Sequence, residues 1–186
     1  RYIYGKFLLL SSFYPYPGRE YAMVHWAVVE STPGGMTAMG RIARETVGPQ
    51  SAREAGTYAL YGGIDAQNPD VMRLLEIYES YEAYRIHSTS EAFQAYRAAR
   101  LPVLKNLQIL EADGIAWSKK DKGVGKVVYM HRYEVIPGKS WPSNQKLASP
   151  GRRRRAGKRK MAVFWGWFVT AEHDAPNVIH TMEILS

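Results

Sequence analysis

The chain contains one segment that occurs nearly twice. The first copy reads Pro69-Asp70-Val71-Met72-Arg73-Leu74-Leu75-Glu76-Ile77-Tyr78-Glu79-Ser80, and the second reads Pro176-Asn177-Val178-Ile179-His180-Thr181-Met182-Glu183-Ile184-Leu185-Ser186. Each copy places a glutamate seven residues after a proline, inside an apolar run that is typical of a buried strand. The pairs Pro49/Gly56 and Pro150/Gly157 share a spacing of seven residues further upstream. The sequence therefore predicts two copies of one supersecondary unit, and the second copy ends early.

The pattern around the first copy predicts four strands and two helices. Apolar and aromatic runs predict strands at 21–30, 57–64, 71–78 and 107–117. Apolar residues at helical spacing predict a helix over 36–54, with an interruption at Gly48-Pro49. A short turn begins at Ser80, and Ser90 is a suitable N-cap for a second helix that ends near Arg100. The order β-α-β-β-α-β is that of an α+β, ferredoxin-like plait.

The second copy of the unit is incomplete. Strands are predicted at 127–136, 161–171 and 178–185, whereas prolines and glycine interrupt the helix position at 139–160. We therefore expect an N-terminal extension (1–20), a first repeat (21–120) and a truncated or degenerate second repeat (126–186) with a basic loop at 149–160. The missing edge strand is expected either from the N-terminal extension or from chain beyond Ser186, because an uncovered sheet edge is a liability.

The residues that follow the first copy resemble a known family signature. Glu76-Ile77-Tyr78-Glu79-Ser80-Tyr81-Glu82-Ala83-Tyr84-Arg85-Ile86-His87 resembles the strand-to-helix motif of the antibiotic biosynthesis monooxygenases, also called quinol monooxygenases. Glu111-Ala112-Asp113-Gly114-Ile115 resembles the fourth strand of that family, and Pro33-Gly34 resembles the turn after its first strand. The resemblance covers residues 21–117 well and 126–186 in part. It implies the dimeric α/β barrel superfamily, so that two repeats in one chain would form an internal pseudo-dimer.

The resemblance also implies a chemistry. Related proteins oxidise quinols or polyketide phenols with O₂, often without metal or flavin, because the deprotonated substrate is itself the electron donor. We therefore expect a cofactor-independent monooxygenase whose partners are a small aromatic or quinol substrate and O₂. A non-catalytic ligand-binding or scaffold protein and an isomerase of a small metabolite remain alternatives, since one fold supports many functions. A homo-oligomer is also left open.

The resemblance assigns candidate site residues. His87 matches the family histidine, and histidine ordinarily exchanges a proton near neutral pH. Glu76 matches a family glutamate, and a carboxylate in an apolar strand needs a partner or a cavity. Structural roles for both residues are the competing interpretations. The candidate catalytic residues are thus His87 and Glu76, and the candidate substrate-binding residues are Tyr78, His25, Trp26, Tyr58 and Phe93. No metal site is predicted, because His25 and His131 on matching strands have no visible third ligand.

Composition limits the remaining partners. The net charge of +8 arises from seven basic residues between Arg152 and Lys160, and without them 18 basic residues face 17 acidic ones. No aromatic residue interleaves the run Arg152, Arg153, Arg154, Arg155, so nucleic acid is an unlikely partner and a solvated loop is expected. No stretch approaches the roughly 18–20 apolar residues of a membrane span. The absence of cysteine is compatible with a reducing cytoplasm.

Overall fold

The structure is a computed structural model that describes residues 22–119, 127–136 and 164–185. Its elements, in chain order, are β1 (Met23–Ser31), α1 (Met36–Glu45), α2 (Val47–Ser51), β2 (Thr57–Ile64), β3 (Val71–Tyr78), α3 (Tyr81–Thr89), α4 (Glu91–Arg100), β4 (Leu104–Lys119), β5 (Val127–Glu134), β6 (Phe164–Glu172) and β7 (Val178–Leu185), with a 3₁₀ turn at Leu101–Val103. The extension at 1–20, the basic loop at 149–160 and Ser186 lie outside the described residues.

The seven strands form one antiparallel sheet in the order β2-β3-β1-β4-β6-β7-β5. The fold is therefore α+β, as the sequence predicts. β4 joins the two halves of the sheet, because Leu104–Ala112 pairs with β1 and Ala112–Lys119 pairs with β6. The strands of the two halves are continuous through β4, and they curl around a shared interior.

The sheet curls until its edge strands approach each other. A methyl group added at Gly63 on β2 would lie 3.6 Å from Cβ of Val128 and 3.7 Å from Cε of Met130 on β5. The curled sheet encloses an inner cluster that draws on both halves of the chain. Its buried members are Val24, Trp26, Ala59, Tyr61, Leu75, Ile77, Ala112, Trp117, Val128, Met130, Phe168, Met182 and Ile184. Successive strand residues point to opposite faces, so each strand gives alternate residues to this interior.

The outer face of β1 and β3 packs against the helices. Val29 and Met72 on the strands bury Met36 and Met39 of α1, which carry the helical spacing seen in the sequence. Gly34, in the turn after β1, has a φ of +73°, a left-handed conformation that favours glycine. This geometry lets the Gly34 N–H donate to the Asp70 carboxylate at 2.8 Å, which ties the end of β1 to the β2–β3 turn.

The structure corrects two local predictions. The helix predicted over 36–54 is two helices that break at Thr46, just before Gly48-Pro49. Residues 81–89, where the sequence predicts a turn, form the helix α3. Ser80 caps α3 by accepting a hydrogen bond from the Ala83 N–H at 3.2 Å, and Ser90 caps α4 through the Phe93 N–H at 3.2 Å. The Ser90 cap agrees with the sequence prediction, whereas the Ser80 cap shows what the turn assignment missed.

Candidate functional site

The site begins with His87, in the last turn of α3. Its side chain is turned inward, and the residue is only 2% exposed. At the end of α3 the Ser90 N–H donates to the His87 carbonyl at 3.2 Å. The Ser90 side chain caps α4, so the next helix starts immediately afterwards. Two short helices that meet at this point therefore hold the imidazole against the outer face of the sheet.

Glu54, in the connection between α2 and β2, is the direct partner of His87. The Oε2 atom of Glu54 lies 2.7 Å from Nδ1 of His87, and the two side chains are 9% and 3% exposed. The Thr57 hydroxyl donates to the same Oε2 atom at 2.9 Å. Gly56 makes this approach feasible, since a methyl group there would lie 2.6 Å from Cβ of Ala83 on α3. A buried carboxylate thus holds the imidazole in one orientation.

Tyr78, at the end of β3, forms the next wall of the site. The residue is fully buried, and its hydroxyl donates to Oε2 of Glu76 at 3.0 Å. Its ring centroid lies 5.3 Å from that of His87. Burial, followed by the negative charge of Glu76 and the hydrogen bond to it, raises the pKa of Tyr78 well above its usual value. Tyr78 therefore stays a neutral hydrogen-bond donor at physiological pH.

Aromatic contacts extend the site in both directions from Tyr78 and His87. The ring of Phe93 lies 4.9 Å from His87 on one side, and the ring of Tyr84 lies 5.3 Å from Tyr78 on the other. Tyr84 also makes a T-shaped contact with His25 on β1, with ring centroids 4.9 Å apart. Desolvation, then the charge of Glu76, raises the pKa of the Tyr84 hydroxyl. The outer face of the sheet and the helices α3 and α4 thus enclose one continuous aromatic and polar cluster.

The structure therefore brings five of the candidate residues together and separates two of them. His87, Glu76, Tyr78, His25 and Phe93 share the helix-covered face. Trp26 points into the curled sheet, where its Nε1 atom donates to the Thr170 hydroxyl at 2.8 Å and its ring lies 5.3 Å from His180. Tyr58 packs against the inner cluster. Trp26 therefore lies on the opposite face of the sheet from His87.

Sequence reasoning missed Glu54, Thr57 and Tyr84. Glu54 lies 33 residues before His87, in a connection with no periodic pattern, and no local signal links the two. The Ser80 cap and the alanine at 83 were the signals that could have revealed α3 and hence the position of Tyr84.

The arrangement suits proton transfer and does not suggest a metal centre. Within residues 22–119, 127–136 and 164–185, no group of three or more His, Asp or Glu residues is placed to hold a metal ion. What the site offers is an imidazole oriented by a carboxylate, a neutral phenol and a second imidazole, all between aromatic walls. Such a set can accept a proton from a bound hydroxyl group and hold the resulting anion. In the same described ranges, no helix has the length and apolar character needed to cross a membrane.

Comparison with known proteins agrees with the resemblance seen in the sequence. Residues 23–99 match the family described as antibiotic biosynthesis monooxygenase. A search of curated proteins found no match. Among solved structures, the chain is similar to a candidate monooxygenase from Lactobacillus acidophilus, with 12% identity, 89% of this chain and 77% of the other covered, and a TM-score of 0.70. A candidate monooxygenase from Fusobacterium nucleatum gives 16% identity, 89% and 76% coverage, and a TM-score of 0.68. Both similarities extend over both halves of the sheet, and they concern the fold alone.

Proposed function

We propose that this chain, whose residues 23–99 form an antibiotic biosynthesis monooxygenase domain, oxidises a phenolic or quinol substrate with O₂ at the cluster around His87. The observation that carries the proposal is the buried contact of 2.7 Å between His87 and Glu54. The family match supports a monooxygenase-like function in general. The substrate class, O₂ as oxidant and the roles of the residues are our inferences.

His87 acts as the general base in this proposal. It takes the proton of the substrate hydroxyl and leaves an electron-rich phenolate, and Glu54 stabilises the imidazolium that forms. Tyr78 cannot be that base, because its raised pKa keeps the hydroxyl protonated. Phe93 and Tyr78 flank the imidazole and would hold the substrate ring between aromatic surfaces.

The oxidation balances without a further reductant. The phenolate supplies the electrons to O₂, one oxygen atom bonds to a ring carbon, and the second leaves as water together with two hydrogens from the substrate. A phenol with a free ring position thereby becomes a quinone, and a hydroquinone becomes a hydroxyquinone. The chain contributes the base, the apolar walls and the exclusion of water.

Access to the cluster requires a side chain to move. His87 is 2% exposed and Tyr78 is fully buried, whereas Tyr84 is only half-buried. Phe93, beside His87, is half-buried as well. We propose that outward rotation of Tyr84, which contacts both Tyr78 and His25, admits a ring beside Tyr78. The closed cluster also favours a second candidate function, in which the protein binds a ligand or a partner without catalysis.

The test is O₂ uptake with a panel of reduced naphthoquinones and polyketide phenols, run with a metal chelator and without flavin. The use of ¹⁸O₂ separates monooxygenation, which labels the product, from simple oxidation, which does not. His87→Ala should reduce turnover at least about tenfold, since general-base assistance is worth about 10²–10⁴ in rate. The matched control is His131→Ala, because His131 is exposed on β5.

Two results would count against the proposal. Equal turnover in wild type and His87→Ala would remove His87 from the mechanism. No turnover of any member of the panel by the wild type would favour the ligand-binding or scaffold function instead.

A further inference from the structure

His25, on β1, is a buried polar residue without a hydrogen-bond partner. The residue is 3% exposed, and neither ring nitrogen has a hydrogen-bond partner within the described parts of the chain. Glu76 on β3 and Glu111 on β4 are its cross-strand neighbours. Its ring makes a T-shaped contact with Tyr84, and the two ring centroids lie 4.9 Å apart. His25 therefore stands between two carboxylates and a phenol on the same face of the sheet as His87.

An unpartnered buried imidazole needs a physical reason. Buried side-chain nitrogen atoms are nearly always hydrogen-bonded, because a buried polar group without a partner is destabilising. Replacement by an apolar residue of similar shape would remove that destabilisation. His25 has no partner in the described structure and lies in a cluster that also holds the candidate base. This combination indicates that a bound molecule supplies the missing hydrogen bond.

We propose that His25 is a specificity-determining residue, which hydrogen-bonds a polar atom of the aromatic substrate other than the hydroxyl that faces His87. The inference rests on the proposed function, because it takes the helix-covered cluster as the substrate site. Two rings, Tyr84 and Tyr78, lie between the two imidazoles along the path of ring contacts. A ligand that reaches both histidines therefore carries its polar groups at separate ends of a fused ring system.

The neighbours of His25 indicate which polar group fits. Glu76 and Glu111 are hydrogen-bond acceptors when ionised, so a ligand group placed between them and the imidazole must be able to donate. A hydroxyl group meets this need, since it donates one hydrogen bond and accepts others. Tyr84 already presents a phenol beside His25, and a ligand phenol would take over that position when Tyr84 rotates outward.

The experiment compares two probes that differ by one hydroxyl group, 1,5-dihydroxynaphthalene and 1-naphthol. Binding to wild type, His25→Phe, His25→Gln and the exposed control His131→Phe is measured by calorimetry without oxygen, so that no turnover is needed. The wild type should bind the diol about tenfold more tightly than 1-naphthol. 1-Naphthol lacks the second hydroxyl, so it leaves the buried His25 ring unpaired, and an unpaired buried group weakens binding strongly. His25→Phe should lose this preference, His25→Gln should keep part of it, and His131→Phe should keep all of it.

Thermal unfolding separates this role from a structural one. His25→Phe should melt at the same temperature as the wild type or higher, because an unpaired polar group is replaced by an apolar group of similar shape. A clear fall in melting temperature would mean that His25 has a structural partner and would overturn the inference. An unchanged preference for the diol in His25→Phe, or no binding of either probe by the wild type, would overturn it as well.

The outcomes distinguish this inference from the proposed function. Binding that depends on His25 without any O₂ uptake would retain the subsite and reject the monooxygenase. O₂ uptake that depends on His87, with a diol preference that does not depend on His25, would retain the monooxygenase and reject the subsite.

Discussion

Removal of the Glu54 carboxylate should destabilise the protein strongly. In Glu54→Ala, His87 loses its partner at 2.7 Å and the Thr57 hydroxyl loses its acceptor at 2.9 Å. A buried group left unpaired costs about 1–3 kcal/mol, and Glu54→Ala leaves two such groups, the His87 ring and the Thr57 hydroxyl. We therefore expect Glu54→Ala to lower the free energy of unfolding by about 2–6 kcal/mol. Glu54→Gln should cost less, because the amide keeps the shape and one acceptor oxygen.

The assay is urea unfolding of Glu54→Ala, His87→Ala and the double variant. This double-mutant cycle isolates the interaction between the two residues, which we expect to be about 1–3 kcal/mol. Glu82→Ala is the matched control, since the Glu82 carboxylate also forms a short contact with a nitrogen-bearing side chain, at 2.6 Å to Arg85, but both side chains are more than half exposed. Solvent screens that exposed pair, so the control should change the stability much less.

Two results would refute this reasoning. A coupling energy that is indistinguishable from zero would mean that His87 and Glu54 do not depend on each other. A loss in Glu54→Ala no larger than that in Glu82→Ala would mean that the buried carboxylate has an environment as polar as the surface.

Three further predictions concern individual side-chain contacts. The raised pKa of Tyr78 means that the unfolded chain releases this proton near pH 10 while the folded chain retains it, so the free energy of unfolding should fall as the pH rises above about 10. Urea unfolding at a series of pH values should show a smaller fall in the free energy of unfolding for Tyr78→Phe than for the wild type. The exposed control Tyr81→Phe should show the same fall as the wild type. Equal pH dependence in Tyr78→Phe and the wild type would contradict the prediction. The ring of His173, which follows β6, donates a hydrogen bond to the Asp113 carboxylate on β4 at 3.2 Å, and this bond raises the pKa of His173. Asp113→Asn should therefore lower that pKa in an NMR titration, and an unshifted titration would contradict the contact. Trp26→Phe should lower the free energy of unfolding by about 1–3 kcal/mol, because it removes a buried indole hydrogen bond, while leaving the effect of the base on O₂ uptake intact; a loss below about 0.5 kcal/mol would contradict it.

The sequence predicted the strands well because alternation and turn residues are local signals. The bounds of 57–64, 71–78 and 178–185 agree with β2, β3 and β7. β4 is longer than the predicted 107–117, because residues at its two ends belong to the strand only through their pairing with β1 and β6. The helix α3 was missed because its nine residues depend on the Ser80 cap and on close packing at Gly56. Such short helices are stabilised mainly by tertiary packing, which the local sequence does not reveal.

The candidate site was predictable only in part. The motif that ends at His87 supplied three of its residues, Glu76, Tyr78 and His87, because they lie close together in sequence. His25 and Trp26 are adjacent on β1, so alternation places them on opposite faces, but the sequence did not say which face the helices would cover. Glu54 could not be assigned, since its contact with His87 depends on how the connection before β2 folds back onto α3. The division into an extension and two repeats remains a prediction.

The change of pairing partner at Ala112 on β4, from β1 to β6, has a consequence for how the protein unfolds. One continuous strand supplies hydrogen-bond partners to β1 along its first part and to β6 along its second, with Ala112 paired to Val24 and Glu172 at once. If either half of the sheet opens, part of β4 loses its hydrogen-bond partners. The other half would then lose the ordered β4 backbone on which its own pairing depends. Native-state hydrogen exchange should find the β4 amides on both sides of Ala112 opening together, in a single cooperative unit, rather than in two steps. The β4 amides around Ala112 would then be the last in the protein to exchange their hydrogens with solvent.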